Sequence, residues 1–77
     1  MNLENLKEIL SEIEVDIKSI NEDLNTVNLK SVLSSLDFIK VIMRIEEINH
    51  LEFNENQLKD EIVTFEMINK WIENAKS

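Results

Sequence analysis

The chain has 77 residues, 43% of them hydrophobic, which predicts a single domain over residues 1–77 with one modest core. It contains no cysteine, which excludes a disulfide framework, a cysteine-based metal site and a thiol nucleophile, and a single histidine argues against a zinc site. The formal net charge of -8, from 16 acidic and 8 basic residues, argues against nucleic-acid binding and favours basic partners.

Neither a membrane span nor a secretion signal is expected. No apolar run approaches the roughly 20 residues that a spanning helix needs. The first residues, Met1 to Glu4, lack the basic and apolar regions of a signal peptide. We therefore expect a soluble, cytoplasmic monomer without metal ligands.

The chain also lacks glycine and proline, which favours helices because tight hairpin turns usually need a residue at positive φ. The predicted fold class is therefore all-α. Asparagine tolerates the left-handed conformation better than most residues, so we expect asparagines to provide it in the turns. The asparagines between the apolar-periodic segments are Asn21, Asn25, Asn28, Asn49, Asn54 and Asn56.

The first predicted helix runs from Leu3 to about Glu14. Its apolar residues recur at helical spacing and define one face: Leu3, Leu6, Ile9, Leu10 and Ile13. From Val15 to Ser34 the pattern is irregular, with isolated apolar residues. We expect an ordered loop that these residues pin to the core, with a short helical turn within residues 21–28.

The central predicted helix begins at a serine pair and continues without a break to about Glu47. Ser34 is the expected cap, and Asp37, three residues later, resembles the partner residue of a capping box. The expected core stripe of this helix consists of Phe38, Val41, Ile42 and Ile45. Leu36 and Met43 fall well outside that stripe, and Ile39 lies between the two sets. In so short a chain, a second apolar strip favours contact with a partner.

Two further helices are predicted after a break at Asn49 and His50, with an extended piece at residues 51–53 between. His50 is expected to be a solvated loop residue. Asn54 caps a short helix over about residues 55–61, in which Leu58 and Ile62 point inward. Thr64 caps the last helix, whose core residues are expected to be Phe65, Ile68, Trp71, Ile72 and Ala75.

Residues 35–47, Ser-Leu-Asp-Phe-Ile-Lys-Val-Ile-Met-Arg-Ile-Glu-Glu, closely resemble the second helix of the acyl carrier protein family. Further matches follow: residues 51–53 resemble the family's Ile-Glu-Phe segment, Thr64 and Phe65 its Thr-Val, and Trp71 and Ile72 its Tyr-Ile. The resemblance covers nearly the whole chain, firmly from Leu33 onward. It implies a small four-helix bundle with a long loop between helices one and two and a short helix three.

The resemblance also implies a cofactor and its attachment site. In the family's Asp-Ser-Leu motif the serine carries phosphopantetheine, derived from coenzyme A, and the matching residue here is Ser35. Ser34 replaces the motif aspartate, Val32 replaces a glycine, and Asn49 replaces a core phenylalanine. The implied function is to carry acyl intermediates as thioesters in fatty-acid or related, polyketide-like biosynthesis, without catalysis by this chain.

The resemblance implies two classes of partner: a phosphopantetheinyl transferase, and acyl-transferring or synthase enzymes with basic docking surfaces. The expected docking residues are Leu36, Asp37, Met43, Glu46 and Glu47. We also expect Phe38, Ile42 and Ile45 to line a core that opens to take an acyl chain. Two alternatives remain open at this point: an aminoacyl or peptidyl carrier of a dedicated pathway, and an unmodified acidic helical adaptor that has lost the arm.

Overall fold

The computed structural model describes residues 1–76, and within this range the chain is all-α, with no strand. The helices are α1 (Leu3–Glu12), α2 (Leu29–Val32), α3 (Ser35–Asn49), α4 (Glu55–Leu58) and α5 (Phe65–Lys76). Only α1, α3 and α5 reach ten residues or more, and a 3-10 turn occupies Ile17–Ser19. The all-α prediction is confirmed for the described residues.

One hydrophobic core joins the three long helices. The stripes predicted for α1 and α3 supply most of it: Leu6, Ile9 and Leu10 from α1, and Phe38, Val41, Ile42 and Ile45 from α3. The last helix adds Phe65, Ile68 and Ile72. Apolar residues of the long loop, Leu24, Val27, Leu29 and Leu33, join the cluster, as expected for a loop pinned to the core, and Phe53 and Val63 complete it.

The residues in the left-handed conformation are not the asparagines that the sequence predicts. Among residues 1–76, the non-glycine residues at positive φ are Glu14 and His50, and no asparagine adopts this conformation. Each follows a long helix. The N–H of the next residue then donates back to a carbonyl five residues earlier, Val15 to Leu10 at 2.9 Å and Leu51 to Glu46 at 3.1 Å. Helix α1 therefore ends at Glu12, two residues earlier than predicted.

Asparagines cap helix starts instead. The side chains of Asn2, Asn28 and Asn54 each accept a backbone N–H at the start of α1, α2 and α4 respectively. Ser34 caps α3, with its Oγ accepting the N–H of Asp37 at 3.1 Å. Only this half of the predicted capping box forms in the part of the chain that the structure describes.

The long loop contains more structure than its sequence indicated. Val27 N–H donates to Asp23 O at 2.8 Å, which forms the helical turn expected within residues 21–28. The four-residue α2 follows and was not predicted. Asn28 connects it to the segment before α5: its side chain accepts the N–H of Val63 at 2.9 Å and donates to Glu61 O at 3.1 Å. Leu29 N–H adds a backbone bond to Val63 O at 2.8 Å.

The C-terminal part departs from the prediction at the end of α4 and at three side chains expected in the core. Helix α4 ends at Leu58 rather than near residue 61, and Ile62, expected to point inward, is 59% exposed. Thr64 caps α5 as predicted, its Oγ1 accepting the N–H of Met67 at 3.2 Å. Ala75 is exposed, and Trp71 is only partly buried, with its ring edge-on to Phe53 at a centroid distance of 5.6 Å.

Candidate functional site

The two serines at the start of α3 occupy different environments. Ser34 is the cap, and its hydroxyl oxygen is engaged by the N–H of Asp37. Ser35 is the first residue of the helix and is exposed. The first-turn N–H groups and the helix dipole favour negative charge at this end of a 15-residue helix. An anionic group attached to Ser35 would therefore meet a favourable electrostatic environment.

Ser35 also lies at an open apolar groove of about 430 Å³. The groove runs between α3 and the two short helices, and its lining residues are Lys30, Leu33, Ser35, Phe38, Ile39, Ile42, Met43, Glu46 and Leu58. Most of these side chains are apolar. A flexible apolar group tethered at Ser35 could thus lie against the protein instead of extending into water.

Of the three residues expected to line an opening core, two face this groove and one does not. Phe38 and Ile42 are part of the lining. Ile45 is 0% exposed and belongs to the closed core behind it. The position of Ile45 on the wheel, close to Ile42, could not distinguish these roles, because the groove depends on where α2 and α4 lie.

Two charged residues of the groove, Lys30 and Glu46, hold the backbone around it. The Lys30 ammonium donates to the carbonyl oxygens of Leu58 and Asp60, the latter at 2.6 Å, and lies 5.4 Å from the centre of the Phe38 ring. Glu46 accepts the N–H of Phe53 at 2.8 Å. Sequence reasoning missed Lys30, because nothing in the irregular loop pattern indicated that it reaches α4.

The apolar strip on α3 lies on the surface. Leu36 and Met43 are each 61% exposed, and Ile39 between them is 52% exposed. The prediction that Leu36 and Met43 lie off the core stripe is therefore confirmed, and Ile39 joins them. We call these three residues the outer strip. Ile39 and Met43 also form the rim of the groove.

The acidic residues expected around the outer strip have contacts within the chain. Glu46 is partly buried against Phe53, as described above. Glu47 lies 3.2 Å from Arg44, which also contacts Glu12 of α1 at 3.3 Å. Asp37 is partly buried in the first turn of α3. Glu47 is thus the exposed member of the expected acidic set, and Arg44 offsets part of its charge.

Asn49, where the resembled family has a core aromatic residue, is partly buried and hydrogen bonded. Its amide donates to Ile45 O at 2.9 Å, and its oxygen accepts from the Lys76 ammonium at 3.4 Å. His50 is exposed, as predicted. None of the helices within residues 1–76 combines the length and the apolar character that a membrane span requires, and no cluster of histidine and acidic side chains there is arranged to hold a metal ion.

Comparison with known proteins gave no match: no family model, no curated protein and no solved structure matches this chain. What points to a function is thus the sequence resemblance together with the geometry of Ser35 and its groove.

Proposed function

We propose that this protein is a carrier whose Ser35 bears phosphopantetheine and whose groove receives the acyl group attached to that arm. The observation that carries the proposal is the position of an exposed serine at the start of the longest helix and at an apolar groove. On this proposal α1, α3, α4 and α5 correspond to the four helices of an acyl carrier protein, and α2 is a turn within its long loop.

The residues around Ser35 are compatible with the group. The serine hydroxyl is accessible to a transferase, whereas its neighbour Ser34 is engaged in capping. In the attachment, Ser35 Oγ forms a bond to the phosphorus of coenzyme A that carries the pantetheine, its proton leaves, and adenosine bisphosphate departs. The arm supplies a terminal thiol that holds an acyl group as a thioester. The helix start stabilises the phosphodiester charge.

The apolar walls of the groove favour an acyl load over a charged one. Leu33, Phe38 and Ile42 are buried residues that border the groove, and Leu58 closes its other side. Covering this surface removes apolar area from water, which stabilises the bound acyl group by roughly 25 cal/mol for each Å² buried. The chain itself performs no bond-breaking step on the load. It presents a tethered intermediate to successive enzymes at high effective concentration.

Partner enzymes are proposed to dock on the outer strip of α3. Leu36, Ile39 and Met43 give an exposed apolar strip that begins next to Ser35 at Leu36, so an enzyme docked on it would be close to the arm's attachment point. The net charge of -8 would attract an enzyme with a basic surface. Lys40 is exposed between these residues and would disfavour partners with a cation at that point.

Incubation with coenzyme A and a broad-specificity phosphopantetheinyl transferase tests the proposal. The chain should gain the mass of one arm, and peptide fragmentation should locate the arm on Ser35. Ser35→Ala should abolish the gain, while Ser34→Ala, the matched control one residue away, should keep it. Ser34→Asp restores the family's aspartate, can still cap the helix, and should speed the reaction.

Two results would contradict the proposal. Modification of Ser35→Ala with loss in Ser34→Ala would show that the attachment site is wrong. A wild-type chain that stays unmodified with several transferases, while a known carrier protein is modified in the same mixture, would favour the unmodified acidic adaptor.

A further inference from the structure

The segment that contributes Leu58 to the groove lies between two buried residues, and most of its own residues are exposed. Phe53 precedes the segment and Val63 follows it, and both are buried. None of residues 54–62 is buried, and α4 within them has only four residues. A helix this short has no stability of its own. The segment must therefore be held by contacts with its neighbours.

The polar contacts that hold the segment are few, and Leu58 adds a partly buried apolar contact with the core. Upstream of α4, Glu46 accepts the N–H of Phe53, whose ring also packs against Trp71. Downstream, Asn28 holds Glu61 and Val63. Between these two attachments, Lys30 donates to the carbonyl oxygens of Leu58 and Asp60. The Lys30 ammonium thus holds the part of the segment that borders the groove.

We propose that residues 54–60 are a movable wall of the groove and that Lys30 is the tie whose release opens it. The Glu46 and Asn28 attachments lie at the two ends of the wall and stay in place, so they act as its hinges. Local opening of this kind needs little free energy where few apolar contacts are broken, and Leu58 is the one apolar side chain of the wall, only partly buried.

Opening of the wall would change which acyl groups the groove accepts, an inference that rests on the proposed carrier function. With Lys30 attached, Leu58 stands across the groove from Ile42 and Met43. Displacement of the wall widens the groove without disturbing Ile45 or the closed core. Lys30 would then set the length or bulk of the acyl group that the groove accepts, because a larger group must first displace the tie.

Amide hydrogen exchange of the unmodified chain tests the movable wall independently of any arm. In the wild type, the α4 amides of Leu58 and Lys59, bonded to Asn54 O and Glu55 O, should exchange through local opening that denaturant barely affects. The amides of Val63 and Ile68 should exchange much more slowly, and denaturant should accelerate them strongly. Equal protection in both sets would overturn the proposal without any variant being needed.

Lys30→Met keeps an apolar stem and removes the ammonium, and Lys40→Met removes the same charge from an exposed site on α3. We expect Lys30→Met to accelerate exchange of Leu58 and Lys59 roughly tenfold or more, the typical effect of losing such hydrogen bonds, with Val63 and Ile68 little changed. Lys40→Met should behave as wild type. Unchanged α4 exchange in Lys30→Met, or acceleration shared equally by Ile68, would contradict the assignment of Lys30 as a local tie.

Failure of the movable-wall proposal and failure of the carrier proposal can be distinguished. Exchange reports the wall in the unmodified protein, whereas transfer of the arm to Ser35 reports the carrier function. A movable wall in a chain that never accepts the arm would leave the Lys30 assignment standing. A rigid wall in a chain that is modified on Ser35 would leave the carrier proposal standing and would contradict the role assigned to Lys30.

Discussion

Ser34 and Ser35 are neighbours of the same type, and the backbone gives them different tasks. Ser34 lies in the extended conformation before α3, which directs its oxygen to the N–H of Asp37, whereas Ser35 already has the helical conformation. The sequence was sufficient to identify the helix start, because two serines precede an unbroken apolar period. It also identified the cap correctly.

Replacing each serine by alanine should therefore have unequal effects on stability. Ser34→Ala removes the cap and is expected to lower the free energy of unfolding by about 1 kcal/mol. Ser35→Ala is expected to leave it within about 0.5 kcal/mol, since the side chain is exposed. Urea denaturation followed by circular dichroism measures both. A larger loss for Ser35→Ala would show that its hydroxyl supports the helix instead.

Substitution of Met43 distinguishes a docking role from a core role for this residue. It is 61% exposed, so Met43→Ala should change the free energy of unfolding by less than about 0.5 kcal/mol and still weaken acyl transfer by a partner enzyme. Ile45→Ala is the matched control on the same helix: it is fully buried and should lower the free energy of unfolding by about 2–5 kcal/mol. A loss of that size for Met43→Ala would contradict the docking assignment.

Conformational preferences of single residues did not predict which residues adopt positive φ in the turns. Asparagine is the better statistical choice for positive φ, yet Glu14 and His50 take that conformation. The reason is positional: each lies at the C-terminal end of a long helix, and the returning hydrogen bonds from Val15 and Leu51 fix its backbone. Asparagines are used at helix starts, where their side chains accept N–H groups.

At the scale of elements, the long helices could be predicted and the short ones could not. The apolar periods of α1, α3 and α5 extend over ten or more residues, which is enough to define a face. Helix α2 spans four residues, too few to show a period, and its hydrogen bonds are to residues about 30 positions away. The sequence pattern predicts that Ile62 points inward, but α4 ends before it.

Asn28 is expected to contribute most to the attachment of these short elements. Its side chain caps α2 and bonds to Glu61 and Val63 at the same time. Asn28→Ala should lower the free energy of unfolding by about 1–3 kcal/mol, because it leaves the part-buried N–H of Val63 unpaired. Asn56→Ala is a suitable control, since Asn56 is exposed. Thermal melts that differ little between the two variants would show that α2 is held by Leu29 alone.

The groove predicts how the attached acyl group affects the stability of the folded protein. Forms of the protein with acyl groups of increasing length on the arm should melt at increasing temperature until the groove is filled, because binding confined to the folded state stabilises it. The form with the bare arm is the reference. Equal melting temperatures across the series would contradict an acyl-binding groove of about 430 Å³.

The all-α architecture followed from composition and period, whereas the groove did not. Its walls come from the loop residues Lys30 and Leu33, from α3 and from Leu58 of α4, and these meet only after the chain has folded. The sequence indicated Ser35, Phe38 and Ile42 through the resemblance to a helix of known role. The partners that close the groove depend on long-range contacts that no local pattern records.

Intact mass spectrometry of the protein purified from its own cells shows whether Ser35 carries an acyl-bearing arm. We expect the mass of the chain plus one phosphopantetheine arm, with a population that also carries an acyl load, and fragmentation that places both on Ser35. A protein found only at the mass of the bare chain, or modified at another residue, would rule out Ser35 as the site of an acyl-bearing arm.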